Sequence, residues 1–124
     1  MIKKIAFTMY PVVDIVRARD FYENILKLKV GNIHEHPEGI WVEYDLAEGG
    51  CLALTTLAKA VSPSATSGGI IAFEVENLTK MLAELKEKNV QIIMDKLVTK
   101  NVCSMAVILD SEGNSITLHQ LKGQ

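Results

Sequence analysis

The feature that most constrains this chain is that its plan occurs twice. Asp14 and Asn77 stand about 63 residues apart, and each precedes an apolar stripe at helical spacing. After Asp14, a free side-chain acceptor suited to an N-cap, the stripe is Ile15, Ala18, Tyr22, Ile25 and Leu26, which predicts a helix to about Lys27. After Asn77 it is Leu78, Met81, Leu82 and Leu85, at i, i+3, i+4 and i+7. Lys86 and Lys88 suit the negative end of that helix, and Asn89 suits its stop. Strand-like runs lie at 2–10, 39–46 and 51–56 around the first helix, and at 69–75, 90–94, 102–109 and 115–121 around the second. Glu48-Gly49-Gly50 and Asp110-Ser111-Glu112-Gly113-Asn114 are the turns. The order is β-α-β-β-β, twice. Matching Ile5-Ala6-Phe7 to Ile71-Ala72-Phe73 gives an offset of 66 and misplaces both caps. It also differs from 63 by an odd number, which would turn every strand side chain to the opposite face.

The expected fold is α+β, one domain over 1–124, with module 1 at about 1–60 and module 2 at about 67–124. Its 124 residues, 48% hydrophobic and 23% charged, suffice for a core. A net charge of −2 without a basic run disfavours nucleic acid and anionic membrane as partners. No apolar stretch approaches the ~18 residues of a membrane span. The early apolar run contains Pro11 and leads to no small-residue cleavage pattern, so a strand explains it better than a signal peptide. Cys51 and Cys103 form no CxxC pair, and a cytoplasmic chain with two reduced thiols is expected. Residues 57–67 (LAKAVSPSATS) read as a linker and a candidate flap.

Strand side chains alternate, so parity sorts each strand into two faces. Val42, Tyr44 and Leu46, Leu52 and Leu54, Ile71, Phe73 and Val75, and Ile116 and Leu118 form the apolar sets expected beneath the helices. The opposite face then holds Trp41, Glu43 and Asp45, Cys51, Ala53 and Thr55, Ile70, Ala72 and Glu74, and Ser115, Thr117 and His119. Residues 2–10 and 102–109 fail the test, with apolar residues at both parities. A lone Trp on a polar face suits a pocket wall. Glu43 and His119 are candidate catalytic residues, an acid/base or ligand-orienting pair, with Glu74 on the same face. Rim positions in water explain the same residues. Cys103, with Met105 nearby, is a weaker candidate and reads more simply as a small buried residue. His34-Glu35-His36 puts two imidazoles on one side of an extended segment, but Pro37 and the flanking charges suggest a solvated loop.

Phe7-Thr8-Met9-Tyr10-Pro11-Val12-Val13-Asp14 with Phe21-Tyr22-Glu23-Asn24-Ile25-Leu26 resembles the opening of the glyoxalase/bleomycin-resistance/dioxygenase superfamily, also called vicinal oxygen chelate. Leu28-Lys29 replaces the common Leu-Gly. Ile70 to Leu78 resembles its fifth strand, and Asp110 to Asn114 its Asp-Pro-Asp-Gly-Asn turn, with Ser for Pro. The resemblance implies two paired βαβββ modules forming a curved mixed sheet around a cavity, a homodimer, and a divalent metal that chelates vicinal oxygens of the substrate. At the positions it assigns to metal ligands stand Phe7, Ala53, Ile70 and Thr117. Three of these have no lone pair, and a lone Thr hydroxyl is a weak ligand. These departures argue against metal-dependent glyoxalase or dioxygenase chemistry. A narrower glyoxalase-like branch shares Tyr10-Pro11, Trp41-Val42-Glu43-Tyr44-Asp45-Leu46, Val102-Cys103 with Met105-Ala106, and Thr117-Leu118-His119-Gln120.

The function expected is capture of a small organic ligand, with no metal or other cofactor. The ligand-binding set is Phe7, Trp41, Ala53, Ile70, Glu74, Cys103, Met105 and Thr117. The alternative is a lyase, isomerase or dioxygenase-type enzyme using Glu43, Glu74 and His119 or a non-standard metal site.

Overall fold

The computed structural model describes residues 1–99 and 103–121. Its elements run β1 (Thr8–Pro11), α1 (Ile15–Asp20) continuing as a π-helical turn (Phe21–Ile25), β2 (Val30–His36), β3 (Gly39–Asp45), β4 (Cys51–Thr55), β5 (Ile71–Glu74), α2 (Leu78–Glu87), β6 (Ile92–Thr99), β7 (Cys103–Leu109) and β8 (Ser115–Leu121). The described strands form two four-stranded mixed sheets in the orders β1-β4-β3-β2 and β5-β8-β7-β6. In each, the strand before the helix pairs in parallel with the last strand, and the other pairings are antiparallel. The fold is therefore α+β with the doubled βαβββ plan. The chain divides into two compact units, Met1–Pro63 and a second beginning at Ser64.

In the first unit, Asp14 caps α1 as expected, its carboxylate accepting from the Arg17 N–H at 3.0 Å. The helix then departs from an ideal stripe. The Leu26 N–H donates to the Phe21 carbonyl, five residues back. The widened turn buries both Phe21 and Tyr22, which an α-helix would turn about 100° apart. Lys27 closes the turn at φ 65°. Tyr22 stacks on Tyr44, with Val42, Leu52 and Leu54 buried in the same core. The Tyr44 hydroxyl donates to Glu23 at 2.7 Å, and Arg19 donates to the same carboxylate at 2.7 Å. Glu48-Gly49-Gly50 makes the β3–β4 turn, with Gly49 and Gly50 at φ 111° and 100°, where a Cβ would be strained.

The second unit is built alike. Asn77 caps α2 through the Lys80 N–H, and Leu78, Leu82 and Leu85 are buried. A second cap comes from outside the helix: the Gln120 amide oxygen on β8 accepts from the Leu78 N–H at 2.8 Å. Asn89 stops the helix at φ 60°. In the β7–β8 turn, Asp110 Oδ1 accepts from the backbone of Glu112 and Asn114 at 2.8 and 2.9 Å. Asn114 Oδ1 in turn accepts from the Ser64 N–H at 3.1 Å.

Three expectations are corrected. The first strand is Thr8–Pro11 rather than 2–10, and the residues before it are exposed. His34-Glu35-His36 lies in strand β2 rather than in a loop. As the sheet edge, β2 is exposed along its whole length and needs no apolar face to mark it. The strand expected at 90–94 runs over Ile92–Thr99. Val102, expected at the start of β7, lies outside the described residues.

Candidate functional site

Each sheet buries one face beneath its own helix and carries the candidate residues on the other. In the first sheet the ladder opposes Met9, Ala53 and Glu43 across three strands, with Asn32 beyond them on β2. Val42, Tyr44, Leu52 and Leu54 alternate with these and are buried, so parity separates the two faces as the sequence indicates. Residues 2–10, left open by parity, are resolved by Tyr10, which is buried opposite Leu54. Phe7 and Met9 then belong to the helix-free face.

On that face, Phe7 and Trp41 meet edge to face, their ring centroids 5.1 Å apart and their planes at 90°. The Trp41 indole N–H donates to Glu43 Oε2 at 2.8 Å, and the Asn32 amide donates to Oε1 at 3.3 Å. The indole and its carboxylate thus fix each other's orientation. Ala53 is fully buried between Met9 and Glu43 in the ladder. Burial raises the Cys51 thiol above its ordinary pKa, and a hydrogen bond to Asp45 adds to this, so Cys51 is a poor nucleophile. Asn32 was not anticipated, because only the observed strand β2 brings it opposite Glu43.

In the second sheet, Glu74, His119 and Met105 share one row, and Ala72, Thr117 and Val107 the next. His119 Nδ1 donates to Glu74 Oε1 at 2.6 Å, and the Leu121 N–H donates to Oε2 at 2.8 Å. These two bonds, His119 first, hold the Glu74 carboxyl below its ordinary pKa and keep it ionised. Cys103 is buried opposite Leu121, beyond that row. Ile70 precedes β5 and is exposed. The structure therefore joins Phe7 with Trp41 and Glu43, and His119 with Glu74. Glu43 belongs to the first unit and His119 to the second.

The four positions that the resemblance assigns to a metal carry a phenyl ring packed on an indole, a buried methyl, an exposed sec-butyl side chain and one hydroxyl. A hard divalent ion requires several oxygen or imidazole donors, so these residues do not fit one. Among the described residues, no three His, Cys, Asp or Glu side chains are grouped to hold a metal, His34 and His36 included. No described helix is long and apolar enough to cross a membrane.

Comparison with known proteins agrees with this architecture. TnmS3, an antibiotic-binding protein from Streptomyces sp. CB03234, superposes with a TM-score of 0.82 at 21% identity, covering 98% of each chain. A glyoxylase/bleomycin resistance protein/dioxygenase domain from Frankia sp. EAN1pec gives 0.77 at 14% identity, covering 100% of this chain and 96% of its own. The trypanothione-dependent glyoxalase I of Leishmania major gives 0.77 at 25% identity, covering 95% and 86%. Comparison with curated proteins finds no match. The family model that matches spans residues 4–118, nearly the whole chain, and by that match the protein belongs to the Glyoxalase/Bleomycin resistance protein/Dioxygenase superfamily.

Proposed function

We propose that this protein binds a small organic molecule against the helix-free face of its first sheet and does so without a metal. The carrying observation is the Phe7–Trp41 pair held by Glu43. An aromatic corner stands where the superfamily's pattern calls for a ligand to a metal, so a metal-binding position has become a stacking surface. The antibiotic-binding neighbour supports the same reading, since its fold captures an organic molecule. A cytoplasmic homodimer is the setting we assign to it. Free Cys51 and Cys103 are consistent with a reducing compartment.

Trp41 is the chain's only tryptophan, so its fluorescence reports on the site directly. Titration with a panel of planar aromatic antibiotics and dicarbonyl compounds is expected to give saturable quenching by at least one. A bound compound at 100 times its Kd should stabilise the fold by about 2.7 kcal/mol in thermal unfolding. If no compound moves either signal, the binding reading fails.

The short Glu74–His119 contact favours a second reading, proton transfer at the second sheet by an isomerase- or lyase-like enzyme. Glu74 fixes the proton on Nδ1 and leaves Nε2 as the exchanging nitrogen. Deuterium from solvent would then enter the α-carbon of a bound carbonyl compound. His119→Ala should abolish that exchange.

A further inference from the structure

We propose that the ligand of the first sheet is an organic cation, a quaternary or protonated amine seated against the rings of Phe7 and Trp41; this rests on the binding reading above and narrows it. The rings touch edge to face, with centroids 5.1 Å apart and planes at 90°, so a cation would sit on the ring face that this contact leaves open, the kind of aromatic surface that recognises alkylated ammonium groups. Each ring face is negative, and Trp is the strongest aromatic partner of a cation. The third element is Glu43. Its carboxylate is tied to the indole N–H on one oxygen and to Asn32 on the other, so it is pinned beside the rings. An ionised carboxylate offers about four acceptor positions, and these bonds use two.

The strand positions beside the rings carry acidic side chains. Asp45 lies two residues along β3 on the same face as Glu43. Among the described residues, the helix-free positions of β1 to β4 include no Lys or Arg. His34 and His36 share this face on the edge strand, His34 opposite Trp41 in the ladder. On these strand positions an anionic ligand would face the Glu43 and Asp45 carboxylates, and the one indole donor is already committed to Glu43. A cation gains from the rings and the carboxylate together.

The test compares choline with 3,3-dimethyl-1-butanol, which has the same shape but carbon in place of the charged nitrogen. Binding of each is measured at pH 8 by Trp41 fluorescence and calorimetry. Choline is expected to bind at least about tenfold more tightly than the alcohol, within the usual range for a cation over aromatic rings. Glu43→Gln keeps an oxygen for the indole N–H but removes the charge, and it should erase most of that preference. Equal binding of the two probes, or a preference unchanged in Glu43→Gln, overturns the cation assignment and leaves the binding reading standing. If neither probe binds while a neutral or anionic compound of the wider panel does, the cation assignment also falls. If nothing in either set binds, both fall.

Discussion

Asp110 shapes this protein through bonds that the sequence only partly announces. Asp110 is 6% exposed, and one of its oxygens takes two backbone N–H groups while the other takes the Asn114 amide at 3.0 Å. The turn motif is thus a hydrogen-bonded knot, and its resemblance to a family signature reflects folding rather than chemistry. Asp110→Ala leaves buried donors without partners and should cost about 2–3 kcal/mol in urea unfolding. Ala106 and Ile108 are fully buried, so β7, which parity left open, turns Met105 toward the His119 side. Phe7 is the opposite kind of residue. It is 45% exposed in spite of its size, which suits a surface waiting for an occupant better than a core.

At the scale of elements, α1 and β3 are joined by Tyr44, Glu23 and Arg19. The Arg19 guanidinium lowers the pKa of Glu23, against the opposing effect of burial, and Tyr44 lowers it further. Burial, with Glu23 beside it, pushes the Tyr44 hydroxyl far above its ordinary value. A carboxyl whose folded pKa lies below its unfolded value of about 4.3 stabilises the fold above that value. That contribution disappears as pH falls through the depressed folded value. Glu23→Gln should therefore flatten the acid limb of a stability–pH profile below about pH 4.3. Tyr44→Phe should cost about 1.5 kcal/mol at neutral pH, read by thermal or urea unfolding. The helices and most strands were legible because burial on one side writes a period into the sequence. Val42, Tyr44, Leu52 and Leu54 are the clear cases. Strand β2 was not legible, because an edge strand exposed on both faces has no such period. The π-helical turn was not legible either, since Phe-Tyr reads as one buried and one oblique residue unless the turn widens.

For the molecule as a whole, the doubled plan was readable from two caps about 63 residues apart, and both caps are present. The superfamily followed from motifs, and its match over 4–118 bears that out. No ligand was readable, because a face that carries a ring at Phe7 and a methyl at Ala53 shows shape and charge but no reaction signature. Treatment with a chelator, followed by dialysis against Zn, Ni, Mn or Fe, is expected to leave the melting temperature unchanged and elemental analysis far below one ion per chain. Stoichiometric uptake would require donors other than Phe7, Ala53, Ile70 and Thr117.

Strand β8 finally carries the Glu74–His119 contact and the α2 cap at neighbouring residues. His119 leans on Glu74, the Leu121 amide grips that same carboxylate, and Gln120 between them reaches through to the first turn of α2. The Glu74 carboxylate is thereby held at both oxygens, and the strand that carries His119 also caps the helix on the reverse side. Gln120→Ala should register as fraying of α2, readable by faster amide exchange at Leu78.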